Sequence, residues 1–524
     1  MTRALISGGT VVDGTGRPAF AGDVVVEGDR IIDILPRPAD APAVAGPGAV
    51  DATGCLVTPG FIDAHAHSDA YLVLEPEAPS KVTQGVTTEV NGQCGGSVAP
   101  RHGEARLSSD WASLLGERLT WRTMAEYREV LSRARPAINT VQFVGHNTLR
   151  SSVVGYAGRG ATADELRRMQ GLLEQALDEG GWGLTTGLVY QPGKHATNDE
   201  VLALARTAAA RGGLYATHMR SEGDRILESI DEVLDLVRAT GIRAEISHLK
   251  TSGARNWGKI DAVLDKVQTA VDGGLLLGSD RYPYCAAGTD LDVVLPDWAQ
   301  EGAAKAECER LKDPALRARI AGELDASGRN WSKVMIGGTW AAASKPLGGR
   351  TVAEAAAAAH VSAGELVCSV LEADACRTGA FFFGMSEENL ARIYARPWIV
   401  PGSDASLRAP WGPLGADHPH PRAYGTMPEF YRRVRALGLS REEAVARMTS
   451  VPARRFGLNG RGTLERGAYA DLVVWKEAAF RAAATYSSPH RFSEGVRLVM
   501  VNGTIPYRGG RLTAERGGRF LERR

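Results

Sequence analysis

Four consecutive helix–strand units restrict the fold of this sequence more than any other feature. A capping box at Thr162–Glu165 predicts a helix start, and Gly180-Gly181 ends the apolar run that follows at helical spacing. A strand-like segment comes next at 184–190, and the same order recurs over 198–218, 224–248 and 257–280. Repeated units of this length indicate a parallel sheet. The 524-residue length favours a (β/α)8 TIM barrel over a doubly wound open sheet, which is the structural alternative.

The two ends of the chain differ from its middle. Short strand-like segments with Gly and Asp at the turns fill residues 1–57, and the same pattern returns near the C-terminus. We therefore predict a small β-sandwich domain built from residues 1–57 and 452–524, and a barrel at 58–451. Residues 286–350 break the helix–strand rhythm, so we expect an insertion in a loop on the active face of the barrel.

Charge and composition exclude several classes of partner. Lys and Arg total 61 and so do Asp and Glu, which gives a net charge of +0 and no indication of a nucleic-acid or membrane-surface partner. No segment approaches the roughly 18 apolar residues of a membrane span, and no signal peptide is visible. The six Cys are scattered without a CxxC pair, so a disulfide framework is not expected. We expect a cytoplasmic protein that acts on a small molecule.

Histidines and one carboxylate stand at the ends of predicted strands. His65 and His67 follow an apolar run, and residues two apart in a strand point the same way. Later strand-like segments end in His218 and His248, and Asp404 follows another apolar segment. Because the C-terminal strand ends of a barrel meet at one mouth, we expect these five side chains to lie close together. Imidazole is the commonest protein ligand of metal ions, so the pattern indicates a metal site.

Motifs along nearly the whole chain show a family resemblance. They are TPGFIDAHAHSD, QGVTTEVNGQCG, VGHNTLR, GLTTGLVYQPG, YATHMRSEG, EISHLK, DRYPYCA, PGSDAS, PHPRAYGT, MTSVPARRFGL, ADLVVW and ATYSSPH. In these motifs the chain resembles the amidohydrolase superfamily and, within it, the N-acyl-D-amino-acid deacylases, or D-aminoacylases. The resemblance implies a (β/α)8 barrel with a small β-sandwich, and hydrolysis of N-acyl-D-amino acids to a carboxylate and a free D-amino acid. The preference for the D-enantiomer rests on the resemblance alone.

The resemblance also assigns metal ligands. Cys94, in GQCGG, matches the zinc-binding cysteine of that family. A thiolate favours Zn²⁺ over magnesium or calcium, and one thiolate with two imidazoles and an open position fits a catalytic site. The implied tight zinc site consists of Cys94, His218 and His248. A second site, which the resemblance leaves weakly filled, consists of His65, His67 and Asp404.

The expected reaction assigns further roles. Zinc-activated water would attack the amide, and Asp404 would accept its proton and pass it to the leaving amine. Candidate donors to the carbonyl oxygen are Tyr190, Tyr282 and His146. For the substrate carboxylate, Lys250 shares the strand direction of His248, and the resemblance adds Arg422 of an HPR motif. A lysine with a bidentate arginine makes a good carboxylate clamp.

Two alternatives remain open at this level. One is hydrolysis of a cyclic amide, as hydantoinases perform it, or of a dipeptide that contains a D-residue. The other is a non-catalytic scaffold with the same fold, which the six occupied ligand positions disfavour. Residues around Tyr282–Cys285 and between Asp404 and Arg422 depart from the family pattern, so the preferred acyl group and side chain are not set by the sequence.

Overall fold

The computed structural model describes residues 3–103, 105 and 109–523. Short strands open the chain. The first three are antiparallel, and the fourth and fifth pair with the first in parallel. Gly28, at φ 59°, allows the tight turn between the second and third. The strands are β1 (Arg3–Val11), β2 (Phe20–Glu27), β3 (Arg30–Pro36), β4 (Ala49–Asp51) and β5 (Leu56–Pro59).

Fully buried strands then alternate with helices. Every residue of the second of these strands is buried, as expected for a parallel strand covered on both faces. The elements are β6 (Phe61–Asp63), α1 (Tyr71–Leu74), α2 (Pro79–Val82), β7 (Val86–Asn91), α3 (Ser109–Leu115), α4 (Met124–Ala134), β8 (Asn139–Gln142), β9 (Val144–Gly145) and α5 (His146–Val153).

The four helix–strand units predicted from the sequence follow and are confirmed. Thr162 and Glu165 form the expected capping box at the start of the first helix. The first strand ends at Gly187, so Tyr190 lies in the turn beyond it. The elements are α6 (Ala163–Asp178), β10 (Gly183–Gly187), α7 (Asn198–Ala210), β11 (Leu214–His218), α8 (Ile226–Thr240), β12 (Arg243–Ile246), α9 (Ile260–Asp272) and β13 (Leu277–Arg281).

An inserted unit with its own apolar core interrupts the barrel. It extends to Phe382, beyond the predicted end at residue 350. The helix Ala363–Ala373 packs on the helix Pro314–Ala326 and so belongs to the inserted unit, not to the barrel. Its sheet is antiparallel, in the order β14-β16-β15. The elements are β14 (Ala287–Asp290), α10 (Asp297–Gln300), α11 (Ala303–Lys312), α12 (Pro314–Ala326), β15 (Val334–Ile336), α13 (Val352–Ala359), α14 (Ala363–Ala373) and β16 (Gly379–Phe382).

The barrel is completed after the insertion, and the chain then returns to short antiparallel strands. A capping box of Ser440 and Glu443 starts one of the last helices. The elements are α15 (Glu387–Tyr394), β17 (Ile399–Pro401), α16 (Arg422–Ala436), α17 (Arg441–Met448), α18 (Ser450–Phe456), β18 (Leu472–Trp475), β19 (Val496–Val501), β20 (Thr504–Arg508) and β21 (Arg511–Leu512).

The sheet topology is that of a (β/α)8 barrel. Strands β6-β7-β8 and β9-β10-β11-β12-β13-β17 form two parallel sheets, and β8 and β9 are separated only at Phe143. A parallel bridge between Ala66 and Ala405 closes the ring next to β6 and β17. Strands from both termini form one further sheet in the order β21-β20-β19-β18-β5-β1-β2-β3. In the part of the chain that the structure describes, no helix has the length and apolarity to span a bilayer.

A buried lysine holds the barrel together where the ring closes. Lys81 on α2 is fully buried, and its ammonium lies 2.8 Å from Asp63 Oδ2 and 2.7 Å from Glu89 Oε1. It also donates to the hydroxyl of Ser403 at 3.1 Å and to the carbonyl of Ala405 at 3.0 Å. One cation therefore connects β6, β7 and the loop after β17.

Replacing Lys81 with methionine tests this contact. Lys81→Met keeps most of the side-chain volume but leaves two carboxylates buried without a cation, so we expect unfolding in urea to require about 3–5 kcal/mol less free energy. The matched control is Lys312→Met, since Lys312 pairs with Glu309 at the surface, and it should cost at most about 1 kcal/mol. Equal stability of the two variants would contradict the role of Lys81.

Candidate metal centre

Cys94 lies at the mouth of the barrel, in the loop after β7. Its Sγ is 3.3 Å from Nε2 of His248, 3.4 Å from Nε2 of His65 and 3.7 Å from Nδ1 of His218. His218 is the last residue of β11, and His248 follows β12 by two residues. The ligand atoms of Cys94, His218 and His248 lie within 4.8 Å of one another. The strand ends therefore bring together donors that are far apart in the sequence.

A second group of donors shares the same cysteine. The ligand atoms of His65, His67, Cys94 and Asp404 also lie within 4.8 Å of one another. Oδ1 of Asp404 is 3.0 Å from Nε2 of His67 and 3.4 Å from Nε2 of His65. Two adjacent candidate metal positions therefore meet at one sulfur atom.

Three of these donors occupy a strained backbone conformation. Cys94, His248 and Asp404 have φ angles of 52°, 39° and 49°. Such a conformation costs a non-glycine residue about 1–3 kcal/mol and persists only where surrounding contacts hold it. Here the amide of Asp404 donates to the carbonyl of His65 at 2.8 Å, and the amide of His248 donates to Oδ1 of Asp280 at 3.0 Å. These backbone conformations orient the three side chains towards a common point.

Carboxylates orient two of the imidazole rings. Nδ1 of His65 is 3.1 Å from Oδ2 of Asp280, and Nδ1 of His248 is 2.8 Å from Oε1 of Glu222. The Nε2 atoms of both rings are thereby left to face Cys94. A carboxylate on the far ring nitrogen is the usual support of a metal-binding histidine.

The chemistry of the donors fits zinc. Burial raises the pKa of the Cys94 thiol, but the imidazoles of His65 and His248 outweigh it and hold that pKa well below its usual value. The sulfur is therefore a thiolate near neutral pH. A thiolate with imidazoles is a typical zinc donor set. Cys94, His218 and His248 would hold one ion, and the second group would hold another beside it.

The metal centre opens into a cavity with two lobes. The first lobe has a volume of about 430 Å³, and its walls include Asp404 and Arg422. The second has a volume of about 660 Å³ and is lined in part by Glu307 of the inserted unit. Cys94 and Tyr190 line both lobes, so the two lobes meet at the metal centre.

Two of the predicted substrate-binding residues lie on the cavity wall. Arg422 donates from Nη1 to Oδ2 of Asp404 at 2.7 Å. The hydroxyl of Tyr190 accepts a hydrogen bond from Thr289 at 3.4 Å, and its ring packs on His218. Burial, and then the charge of Cys94, raise the pKa of Tyr190 well above its usual value. The Tyr190 hydroxyl therefore keeps its proton near neutral pH and is able to donate it in a hydrogen bond.

Two others lie behind that wall. Lys250 is 4% exposed, and its ammonium bonds Glu222 and the carbonyl oxygen of His248. The ring of Tyr282 is fully buried between the guanidinium groups of Arg281 and Arg422. Direct contact of Lys250 or Tyr282 with a substrate stays a prediction.

The expectation for His146 is not met. The strand β9 ends at Gly145, and His146 begins α5, so its ring turns towards α7 and not into the mouth. Nε2 of His146 lies 2.9 Å from Oε1 of Glu200, a carboxylate that also binds Arg150. The ring is fully buried and lines neither lobe, so His146 belongs to a packing contact between helices.

Sequence reasoning assigned no role to two supporting residues. Lys81 lies in a four-residue helix, and nothing in the sequence of that segment indicates that its ammonium is buried. Asp280 lies at a strand end, as the candidate ligands do, and this position could have indicated a role. It binds His65 and the amide of His248 and belongs to neither donor group.

Known proteins are similar to this chain along nearly its whole length. A model described as "Amidohydrolase family" matches residues 48–507. The N-acyl-D-aspartate deacylase of Alcaligenes xylosoxydans xylosoxydans is 35% identical over 523 residues, which are 99% of this chain and 94% of that protein. The D-aminoacylase of the same organism is 35% identical over 524 residues, 99% of this chain and 97% of that protein.

A solved structure extends the likeness to the fold. The N-acyl-D-glutamate deacylase of Bordetella bronchiseptica, complexed with zinc and a phosphonate mimic of the tetrahedral intermediate, superposes with a TM-score of 0.83. It is 33% identical to this chain, and the match covers 99% of each chain.

Removing the thiolate tests the donor set. We expect Cys94→Ala to weaken zinc retention by a factor of at least about 10², because changes around a metal site typically cost 10–100-fold even when they only touch a supporting residue. Zinc per chain is measured by plasma mass spectrometry after dialysis against a graded chelator. Cys285→Ala is the matched control, since that thiol lies outside both donor groups. Full zinc retention in Cys94→Ala would rule out the thiolate as a ligand.

Proposed function

Because this chain belongs to the amidohydrolase family, we propose that it is a zinc-dependent N-acyl-D-amino-acid deacylase. It hydrolyses the amide bond between an acyl group and the nitrogen of a D-amino acid, and releases a carboxylate and the free amino acid. The position of Asp404 carries this proposal. One of its oxygens faces His65 and His67, and the other accepts a hydrogen bond from Arg422, so it stands between the metal donors and a cation of the first lobe.

Asp404 is suited to move the proton. Burial alone would raise its pKa, but Arg422 and then His248 hold that pKa well below its usual value, so the group is a carboxylate near neutral pH. Zinc, when bound beside it, supplies the Lewis acidity that makes water nucleophilic near neutral pH. Asp404 then accepts the proton of the attacking water and returns it to the leaving nitrogen.

Other residues position the substrate in this proposal. Arg422 binds the α-carboxylate from the first lobe. Its Nη1 donates to Asp404 and its Nη2 to the carbonyl of Gly288, so the carboxylate takes the place of one of these acceptors. Tyr190 donates its hydroxyl proton in a hydrogen bond to the amide carbonyl oxygen. The carboxylate contact and the amide held at the metal fix two substituents of the α-carbon. The preference for one enantiomer then needs a third contact, with the side chain.

Turnover of matched substrates tests the reaction. With zinc-loaded protein we expect N-acetyl-D-amino acids to be hydrolysed at least about 10²-fold faster than their L-enantiomers, since an L-enantiomer that makes the carboxylate and amide contacts turns its side chain to where the D-enantiomer has its α-hydrogen. Chromatography of released amino acids across several side chains measures this preference. Hydantoin serves as the competing substrate, and turnover of hydantoin alone would overturn the proposal.

The role of Asp404 is tested separately. We expect Asp404→Asn to keep zinc at Cys94, His218 and His248 and to lose turnover by a factor of about 10² or more, the usual contribution of a general base. Asp261→Asn is a control on the surface, where Asp261 pairs with Arg392. Unchanged turnover in Asp404→Asn would remove this carboxylate from the mechanism.

A further inference from the structure

We propose that the second lobe of the cavity binds the acyl group of the substrate and that Asp292 and Glu307, on its wall, bind a positively charged end of that group. The favoured substrates would then be N-acyl-D-amino acids whose acyl chain carries an amino group at its far end. This inference rests on the proposed deacylase function and adds the class of acyl group.

The position of Arg422 decides which lobe receives which half of the substrate. Arg422 lines the first lobe and not the second, so the α-carboxylate of the amino acid enters the first lobe. The amide bond must lie at the metal donors, and Cys94 and Tyr190 line both lobes there. The acyl chain leaves the amide in the opposite direction and therefore enters the second lobe.

The second lobe is larger than a small acyl group requires. Its volume is about 660 Å³, whereas the first lobe has about 430 Å³. Cavities of about 300–1,000 Å³ hold whole drug-sized ligands, so an acetyl group would leave most of this lobe to water. The size of the lobe favours a long acyl chain.

Glu307 gives this lobe its chemical character. It lies on α11, it is only 3% exposed, and its Oε2 has no hydrogen-bond partner among the described residues. Asp292, in the 3₁₀ turn Leu291–Val294, lies against it on the same wall. Neither carboxyl group has a cation within 4.0 Å in the described chain. The two carboxyl groups hydrogen-bond each other, but Oε2 of Glu307 keeps no partner, and a cationic ligand would supply that contact when the pair is ionised.

The cations of the second lobe are already paired. Lys194 lies 3.5 Å from Asp297, and Nε of Arg220 lies 3.2 Å from Glu232. No such ion pair involves Asp292 or Glu307 in the described chain, so the negative charge that they gain on losing protons is left for a ligand to compensate.

The titration of the pair is consistent with a cation subsite. Burial, and then the charge of Glu307, raise the pKa of Asp292 to about 8, and burial raises the pKa of Glu307 to about 7 although a hydrogen bond with Asp292 lowers it. The other titratable groups that face Glu307 are the thiols of Cys308 and Cys376 and the guanidinium of Arg310, which donates to the carbonyls of Ala299 and Glu301. The pair retains protons near neutral pH, and binding of a cation favours their release.

Three acyl groups of similar length and different charge test the inference. They are 6-aminohexanoyl, heptanoyl and adipoyl, each attached to the D-amino acid that is hydrolysed best as its acetyl derivative. We expect kcat/KM to fall in that order, with 6-aminohexanoyl at least about tenfold above heptanoyl. The preference should grow between about pH 6 and 8, as Glu307 and Asp292 lose their protons.

Variants assign the preference to the acid pair. Glu307→Gln and Asp292→Asn should each reduce the ratio of kcat/KM for 6-aminohexanoyl over heptanoyl towards one. Because both substrates are measured on one preparation, a partly folded variant does not change this ratio. Glu323→Gln, an exposed glutamate of the same inserted unit, should keep the wild-type ratio.

The outcomes separate this inference from the proposed function. No hydrolysis of any N-acyl-D-amino acid would reject the deacylase function itself. Hydrolysis of acetyl and heptanoyl substrates with no preference for 6-aminohexanoyl, and none for 4-aminobutanoyl or 8-aminooctanoyl over their neutral counterparts, would overturn the cation subsite alone. A preference that survives both Glu307→Gln and Asp292→Asn would also overturn it.

Discussion

The geometry of the metal centre depends on one buried ammonium group. Lys81 binds Asp63 at the end of β6, Glu89 on β7 and the carbonyl of Ala405 beyond β17, which are the strands that meet where the barrel closes. Two histidine ligands follow β6, and Asp404 directly precedes Ala405. A buried ion pair adds little net stability, but removal of its cation leaves carboxylates without compensation. Lys81 therefore acts mainly by fixing the relative positions of the strand ends that carry the candidate ligands.

The ligands themselves are held under strain. Positive φ angles at Cys94, His248 and Asp404 place three donors in a conformation that an unconstrained chain avoids. The amide hydrogen bonds to His65 and Asp280 maintain this conformation on the rigid rim of the barrel. Strain of this kind is stored where function requires an exact arrangement of side chains, and the surrounding packing compensates it.

Periodicity in the sequence predicted the barrel and the meeting of five candidate metal donors at one mouth, because strand ends converge whatever lies between them. The sixth donor, Cys94, was predicted by the family resemblance alone. Sequence reasoning failed where the outcome depends on the direction in which a side chain points or on which side chains it contacts. His146 stands at a strand end but begins a helix that turns its ring towards Glu200. The inserted unit reaches Phe382 and not residue 350, because its apolar core and its antiparallel sheet join segments on both sides of that position. The role of Lys81 could not be predicted, since no local sequence pattern indicates that its ammonium pairs with Asp63 and Glu89.

A thiolate shared by two groups of imidazoles connects this fold to its proposed chemistry. Cys94 lines both lobes of the cavity, so in the proposed reaction the metal, the substrate carboxylate and the acyl chain would all lie next to it. Zinc K-edge X-ray absorption on the zinc-loaded protein measures the contact directly. We expect one sulfur scatterer at about 2.3 Å and imidazole nitrogens at about 2.0–2.1 Å. A coordination shell of nitrogen and oxygen without sulfur would contradict it.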